Sequence, residues 1–318
     1  MSPNVQGACW ALLAAALFAI VAALAKLAAV EYHVLQILFF RQIVVLASTI
    51  PSIVRSFPGS LATAHPGLHG LRLAGAFVAL SMGIWAVAVL PLTTAVTLGF
   101  VQVFFVTVIA NWFLGETVGF HRIIAVVAGF CGVLIIMQPG TNGLIEWHSL
   151  IPTAGAFGAA VAVTSVRKLS QTESTATLLV FQSTFIGLLA GIPMFWLWKT
   201  PDLQGLFLLF GMGGVATLGQ WVGVRALRLG ETSFIAPIEY VKLVYAALFG
   251  YLLFREIPDT PTLVGASIIV ASSLYIIRRE TLKKPLVSGA NSPQAKSIAG
   301  ISIKQSGIVG KDQCYPRS

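Results

Sequence analysis

Three charged side chains stand where an apolar chain has least reason to place them. Arg41 closes "LQILFFRQ" but one residue short, and Glu239 and Lys242 interrupt "FIAPIEYVKLVY". A charge deep in a membrane span costs about 2.5–3.5 kcal/mol on insertion scales, so it is expected to face a cavity or a partner. For Arg41 the alternative is a long stem that carries its head to the near interface. Glu239 and Lys242 share a helix face at i, i+3. They fit either an internal ion pair that orients the span or direct contact with a solute or proton. Pro237 cannot donate to residue 233, so a bend is expected there.

Polar and aromatic residues in similar runs extend this set. Gln102, Gln220, Trp221 and Tyr240 join Arg41, Glu239 and Lys242 as candidate solute-contacting or coupling residues. Trp10, Trp85, Gln182 and Tyr245 are candidates for lining, although span aromatics commonly face lipid or pack. Buried amides need partners, which favours Gln220. His65 and His69 have i, i+4 spacing, but "HPGLH" reads as a loop with no metal site. The three cysteines show neither metal spacing nor a disulfide framework. HExxH, GxSxG and paired-acid patterns are absent, and so is a phosphate-binding G-x-x-x-x-G-K-[ST] loop. No catalytic residue and no cofactor is therefore expected.

The elements that must position these residues follow from composition. The 318 residues are 57% hydrophobic and only 10% charged, with a mean hydropathy of +0.87, where a soluble domain carries about 25% charged residues. The chain reads as an all-α integral membrane protein. Apolar runs place ten spans near 7–25, 34–54, 73–90, 94–114, 123–138, 150–166, 176–198, 205–224, 233–254 and 262–277, each near the length a bilayer core requires. Residues 1–6 lack Lys and Arg, so the first run reads as a span rather than a signal peptide. Residues 281–318 are Ser/Gly/Lys-rich and read as a disordered basic cytoplasmic tail. That tail holds much of the +9 net charge, which argues against nucleic acid as a partner. Arg55, Arg72, Arg122, Arg167, Lys168, Arg225, Arg228, Arg278, Arg279, Lys283 and Lys284 fall on one side, against Lys26, Lys199 and Arg255 on the other. By the positive-inside rule both termini are expected in the cytoplasm.

An internal repeat is also visible. "LPLTTAVTLGFVQVFFVTVIANWFLGE" (90–116) aligns without gaps on "GETSFIAPIEYVKLVYAALFGYLLFRE" (230–256) at an offset of 140. The offset superposes Glu116 on Glu256, Thr93 on Ser233 and Gln102 on Lys242. Thr93 and Ser233 are each expected to cap a span. Each glutamate ends a span against the helix dipole and calls for a compensating cation, Arg122 being the candidate for Glu116. Five spans per unit, 7–138 and 150–280, force the second to insert upside down relative to the first. Inverted repeats of this kind bind substrate near the midplane between the halves. Small-residue steps at Ala128/Gly132 and Ser267/Ala271 fit packing within the fold or a homodimer contact.

"VLPLTTAVTLGFVQVFFVTVIANWFLGE" with "RIIAVVAGFCGVLIIMQPG" resembles the fourth and fifth spans of EamA-type transporters of the drug/metabolite transporter superfamily. "IAPIEYVKLVYAALFGYLLFREIPD" and "LVGASIIVASSLYIIRRE" resemble spans nine and ten, and "LQILFFRQ" the second-span Arg motif. One departure is Arg255, where the family often has Gly; the opposing repeat keeps Gly115. The resemblance implies ten helices in a bacterial inner membrane and alternating access of a central cavity to a small organic metabolite or drug-like solute. An intramembrane enzyme acting on a lipid-like substrate is the alternative class, and it lacks the clustered acids or histidines such chemistry needs.

Overall fold

In the computed structural model the described residues are 3–56, 65–114, 120–137, 147–169, 175–229 and 236–283. They form helices α1 (Pro3–Ala28), α2 (Val34–Ser56), α3 (Pro66–Val89), α4 (Leu92–Gly99), α5 (Gln102–Leu114), α6 (Phe120–Met137), α7 (Trp147–Leu169), α8 (Thr175–Gly191), α9 (Met194–Leu197) and α10 (Leu203–Leu229). A 3₁₀ turn (Ala236–Tyr240) then leads into α11 (Val241–Phe254), and α12 (Thr260–Lys283) follows. No strand occurs among the described residues. Two units are distinguished, Met1–Ile277 and Arg278–Ser318; of the second, residues 278–283 are described. α12 continues past residue 280, and the remainder of the expected tail, 284–318, lies outside the described residues.

Five described stretches are long and apolar enough to cross a bilayer: Val5–Ala28, Pro66–Val89, Leu92–Ile109, His148–Val166 and Leu203–Gly223. Four shorter apolar helices, Val34–Ile50, Ile123–Met137, Val180–Gly191 and Thr260–Tyr275, accompany them. Large side chains such as Leu188, Phe207 and Trp221 remain exposed along these helices, as expected of faces that meet lipid rather than water. Short α9 exposes Phe195 and Trp196, residue types enriched where a bilayer meets water.

The helices pack in matched pairs. α3 lies along α7 and α1 along α10; α2 packs on α8, and α4 on α11. At the α3–α7 crossing the backbones nearly touch. A Cβ on Gly75 would lie 2.7 Å from the carbonyl oxygen of Gly158, and one on Gly158 would lie 2.7 Å from that of Gly75. Only glycine permits this approach, which is how small residues hold membrane helices together. The step containing Gly132 likewise packs inside the fold, where a Cβ would lie 3.0 Å from the Gly265 carbonyl oxygen.

Two local expectations need correction. Pro66 occupies the first turn of α3, a position its missing N–H suits. The "HPGLH" stretch therefore opens a helix rather than forming a loop. His69 is buried there, its ring 4.8 Å from that of Phe181. Thr93 does not cap α4: Pro91 holds the cap position without a side-chain bond. The expected span at 94–114 holds two helices, α4 and α5, which meet at Phe100 and Val101 within one stretch long enough to cross a bilayer.

Candidate functional site

The break between α4 and α5 has a local cause. Thr97 turns its hydroxyl back onto the Thr93 carbonyl oxygen at 2.8 Å, and Gly99 follows, a poor helix former. The backbone tightens to i→i−3 bonds, Phe100 N–H to Thr97 O (3.1 Å) and Val103 N–H to Phe100 O (3.1 Å). The same tightening occurs where the offset of 140 places it, in the 3₁₀ turn Ala236–Tyr240 that contains Pro237. The residues matched by the offset, Phe100 and Tyr240, pack against each other with ring centroids 4.8 Å apart. Tyr240 is buried. Lys242 reaches the same place from the first turn of α11, its Nζ 5.5 Å from the Phe100 ring and 5.4 Å from that of Phe18 on α1.

Glu239 does not join this group. Its residue is exposed, and no ion pair links it to Lys242. The i, i+3 pair does not close, because Glu239 is exposed while Lys242 lies against the Phe18 and Phe100 rings. Gln102 begins α5 one turn from Phe100 and is half-buried. Arg41 lies on the interior face of α2, between Ile37 (0% exposed) and Val45 (5% exposed) in successive turns. Among the described residues no hydrogen bond or ion pair reaches it, and its Nε is buried without an acceptor.

The other candidates scatter. Gln182 accepts a hydrogen bond from Arg72 at 2.9 Å, and the Arg72 guanidinium also donates to the Leu178 carbonyl oxygen at 3.0 Å, tying α3 to α8. Trp10 stacks under Arg225, 4.8 Å from ring to guanidinium. Gln220 and Tyr245 are half-buried, whereas Trp85 and Trp221 are exposed, Trp221 by 67%. A groove of about 320 Å³ between α2 and α8, lined by Phe39, Gln42, Leu46, Gly187, Gly191 and Phe195, is apolar and holds none of the candidates. Among the described residues no group of three or more His, Cys, Asp or Glu could hold a metal ion.

A second cluster lies at the opposite end of α11. Arg255 adopts the left-handed conformation (φ 59°), and the Glu256 N–H returns to the Gly250 carbonyl oxygen at 3.0 Å. This helix end turns the Glu256 carboxylate toward α4, where it accepts the Leu92 N–H at 2.7 Å. Its other oxygen pairs with Lys26 of α1. Lys26 also donates to the Leu90 carbonyl oxygen at 2.6 Å and lies 5.2 Å from the Phe254 ring. The cation that Glu256 requires is therefore Lys26, and the carboxylate sits at the start of α4, where the dipole favours it. Glu116 and the side chain of Arg122 lie outside the described residues. Separately, Gln36 grips the Lys199 backbone through both amide atoms (2.7 and 3.2 Å), and Lys199 pairs with Glu31 at 3.6 Å.

The sequence profile of the EamA-like transporter family matches residues 5–138 and again residues 147–278. The chain belongs to the EamA-like transporter family. It is 32% identical over 288 residues to a riboflavin transporter of Vibrio cholerae, covering 87% of this chain and 95% of that protein. It is 28% identical to an S-adenosylmethionine uptake transporter of Rickettsia prowazekii (86% and 93% covered) and to a pseudopaline exporter of Pseudomonas aeruginosa (86% and 96%). A solved crystal structure of 12% identity superposes with a TM-score of 0.58 over 88% of this chain and all of that one, a likeness that shows the fold alone. As a member of this family the protein is a multi-pass membrane transporter of small solutes, not an enzyme.

Residues that the sequence left unmarked stand at the centre of both clusters. Phe100 could have been found by carrying Tyr240 across the offset of 140. Lys26 carried a weaker signal, a lone cation at the Lys/Arg-poor end of α1. Phe18 carried none.

Proposed function

We propose that the protein is a secondary carrier with ten spans in two inverted five-helix repeats, 7–138 and 150–280. It moves a small organic solute by alternating access through a cavity centred on Phe100, Tyr240 and Lys242. The observation that carries this reading is the contact between Phe100, where α4 and α5 meet, and Tyr240, where the 3₁₀ turn enters α11, at positions matched by the offset of 140. Carriers of this architecture place their sites at discontinuous helices near the midplane, because a broken helix frees backbone groups for a solute. The helix pairings agree: exchanging the repeats converts α3 on α7 into α10 on α1, and returns α2 on α8 to itself.

On the topology expected from Lys and Arg, both termini are in the cytoplasm of a bacterium and the Lys26–Glu256 cluster is at the outer face. That cluster ties α1 and the α3–α4 junction of one repeat to the end of α11 in the other. Opening the cavity outward requires it to part. Relatives named for uptake and for export leave either direction open to this fold.

The test is untargeted metabolite profiling of cells with and without the protein, comparing pools inside and outside. A carrier shifts a chemically unmodified solute between the pools, and the shift is lost on Tyr240→Ala with the protein still in the membrane. A new chemical product with no shift of an unmodified solute contradicts the proposal.

A further inference from the structure

We infer that the solute is an organic anion, whose negative charge is received by Arg41 and Lys242. This rests on the carrier reading above and adds the class of substrate.

The argument compares cations. Where this protein uses a positive side chain to hold its helices together, the charge is bonded. Lys26 has a carboxylate, a carbonyl oxygen and a ring face. Arg72 has a carbonyl oxygen and an amide oxygen. Lys199 has Glu31 and the Tyr32 ring. Among the described residues, exposed Arg225 lies on the Trp10 ring alone, and away from that exposed site Arg41 and Lys242 also break the pattern. Arg41 carries five N–H donors, yet its buried Nε has no acceptor among the described residues, although it lies on a buried helix face beside Gly213. Lys242 meets two ring faces, which attract a cation but supply no negative charge and accept no strong hydrogen bond.

Leaving donors unbonded in an apolar interior is costly unless something arrives to accept from them. Water can do so in an open cavity, but an anion does so with charge assistance and gains more as water leaves. A cationic solute would meet repulsion from two side chains that have no internal partner to screen them. Phe18, Phe100 and Tyr240 surround Lys242, so the solute also presents apolar or planar surface next to its anionic group.

The test uses the purified full chain in liposomes, presented with an aqueous extract of bacterial cytoplasm. Mass spectrometry identifies what accumulates beyond protein-free vesicles. Accumulating solutes should carry a carboxylate, phosphate or sulfonate. Arg41→Gln and Lys242→Gln should each slow their entry at least about tenfold at equal protein per vesicle, the loss expected of one charge-assisted hydrogen bond. Arg41→Lys and Lys242→Arg should keep part of the rate. Should a Gln variant fail to insert, the wild type still decides: the methyl ester of an accumulated acid must compete at least about tenfold less well than the acid. Accumulation of neutral or cationic solutes, equal competition by the ester, or wild-type rates in both Gln variants would overturn the inference. If the wild type accumulates nothing, the carrier reading itself fails, and the inference falls with it.

Discussion

Replacing Glu256 by Gln isolates the electrostatic part of the outer cluster, because the amide keeps the shape and one oxygen for the Leu92 N–H. What it loses is the charge facing Lys26. The two side chains are 13% and 21% exposed, so the pair sits between two regimes. Exposed pairs contribute about 0–1 kcal/mol, whereas breaking a buried pair costs about 3–5 kcal/mol. Lys26 retains the Leu90 carbonyl oxygen, so its charge is not stranded. A loss of about 2 kcal/mol is therefore expected, close to one hydrogen bond to a charged group. With about 2–4 °C per kcal/mol for a chain of some 150–250 residues, the melting temperature of the detergent-solubilised protein should fall by roughly 4–8 °C. Lys26→Met should cost a similar amount. The double variant should be less destabilised than the sum of the singles by at least about 1 kcal/mol, because the residues are partners. Additive losses, or a Glu256→Gln protein as stable as the wild type, would refute the assignment.

Arg255 holds a left-handed conformation that costs a non-glycine residue about 1–2 kcal/mol, so Arg255→Gly should raise the melting temperature by a few degrees; a fall would show that the Arg side chain is itself required. Gly75→Ala should push α3 from α7 at the Gly158 carbonyl and cut the amount of folded protein recovered in detergent, while Gly83→Ala, with open space at its Cβ, should leave it unchanged. Truncation after Lys284 should leave transport in proteoliposomes intact, since residues 285–318 offer no sustained apolar face to bury; loss of transport with normal insertion would contradict this. Reporter fusions at both termini should be active only as cytoplasmic reporters, and activity of a periplasmic reporter at either end would overturn the topology.

The periodic and compositional features of this chain were readable because they are local. An apolar run long enough for a bilayer declares a helix, and the gap-free offset of 140 declares that Phe100 and Tyr240 occupy matched positions. Pro237 marked the irregular backbone of its span; the matching break at Phe100 has no proline and depends on Thr97 and Gly99, residues common in unbroken spans. Contacts between distant segments were not legible. Lys26 and Glu256 are 230 residues apart, and the sequence showed only that the glutamate needs a cation. Glu239 and Lys242 read as a pair from their spacing alone, whereas Lys242 turns to the rings of Phe18 and Phe100, which lie far away in sequence, and leaves Glu239 exposed. Trp221 read as a lining group beside Gln220, but adjacent residues on a helix face different ways, and in a membrane an outward tryptophan is as stable as an inward one. Arg72 read as a flanking charge because the apolar window begins after it, whereas α3 starts at Pro66 and carries Arg72 into the contact with α8.

The most direct measurement places a single cysteine at Phe100, with Cys9, Cys131 and Cys314 replaced by Ser, and follows its labelling by a membrane-impermeant maleimide in right-side-out and inside-out vesicles. A cavity at the paired breaks that opens alternately to each side predicts labelling from both sides. It also predicts that Glu256→Gln, by loosening the outer cluster, increases labelling from the outside and decreases it from the inside. Labelling from neither side, or from one side alone in both the parent and the Glu256→Gln protein, would contradict the account.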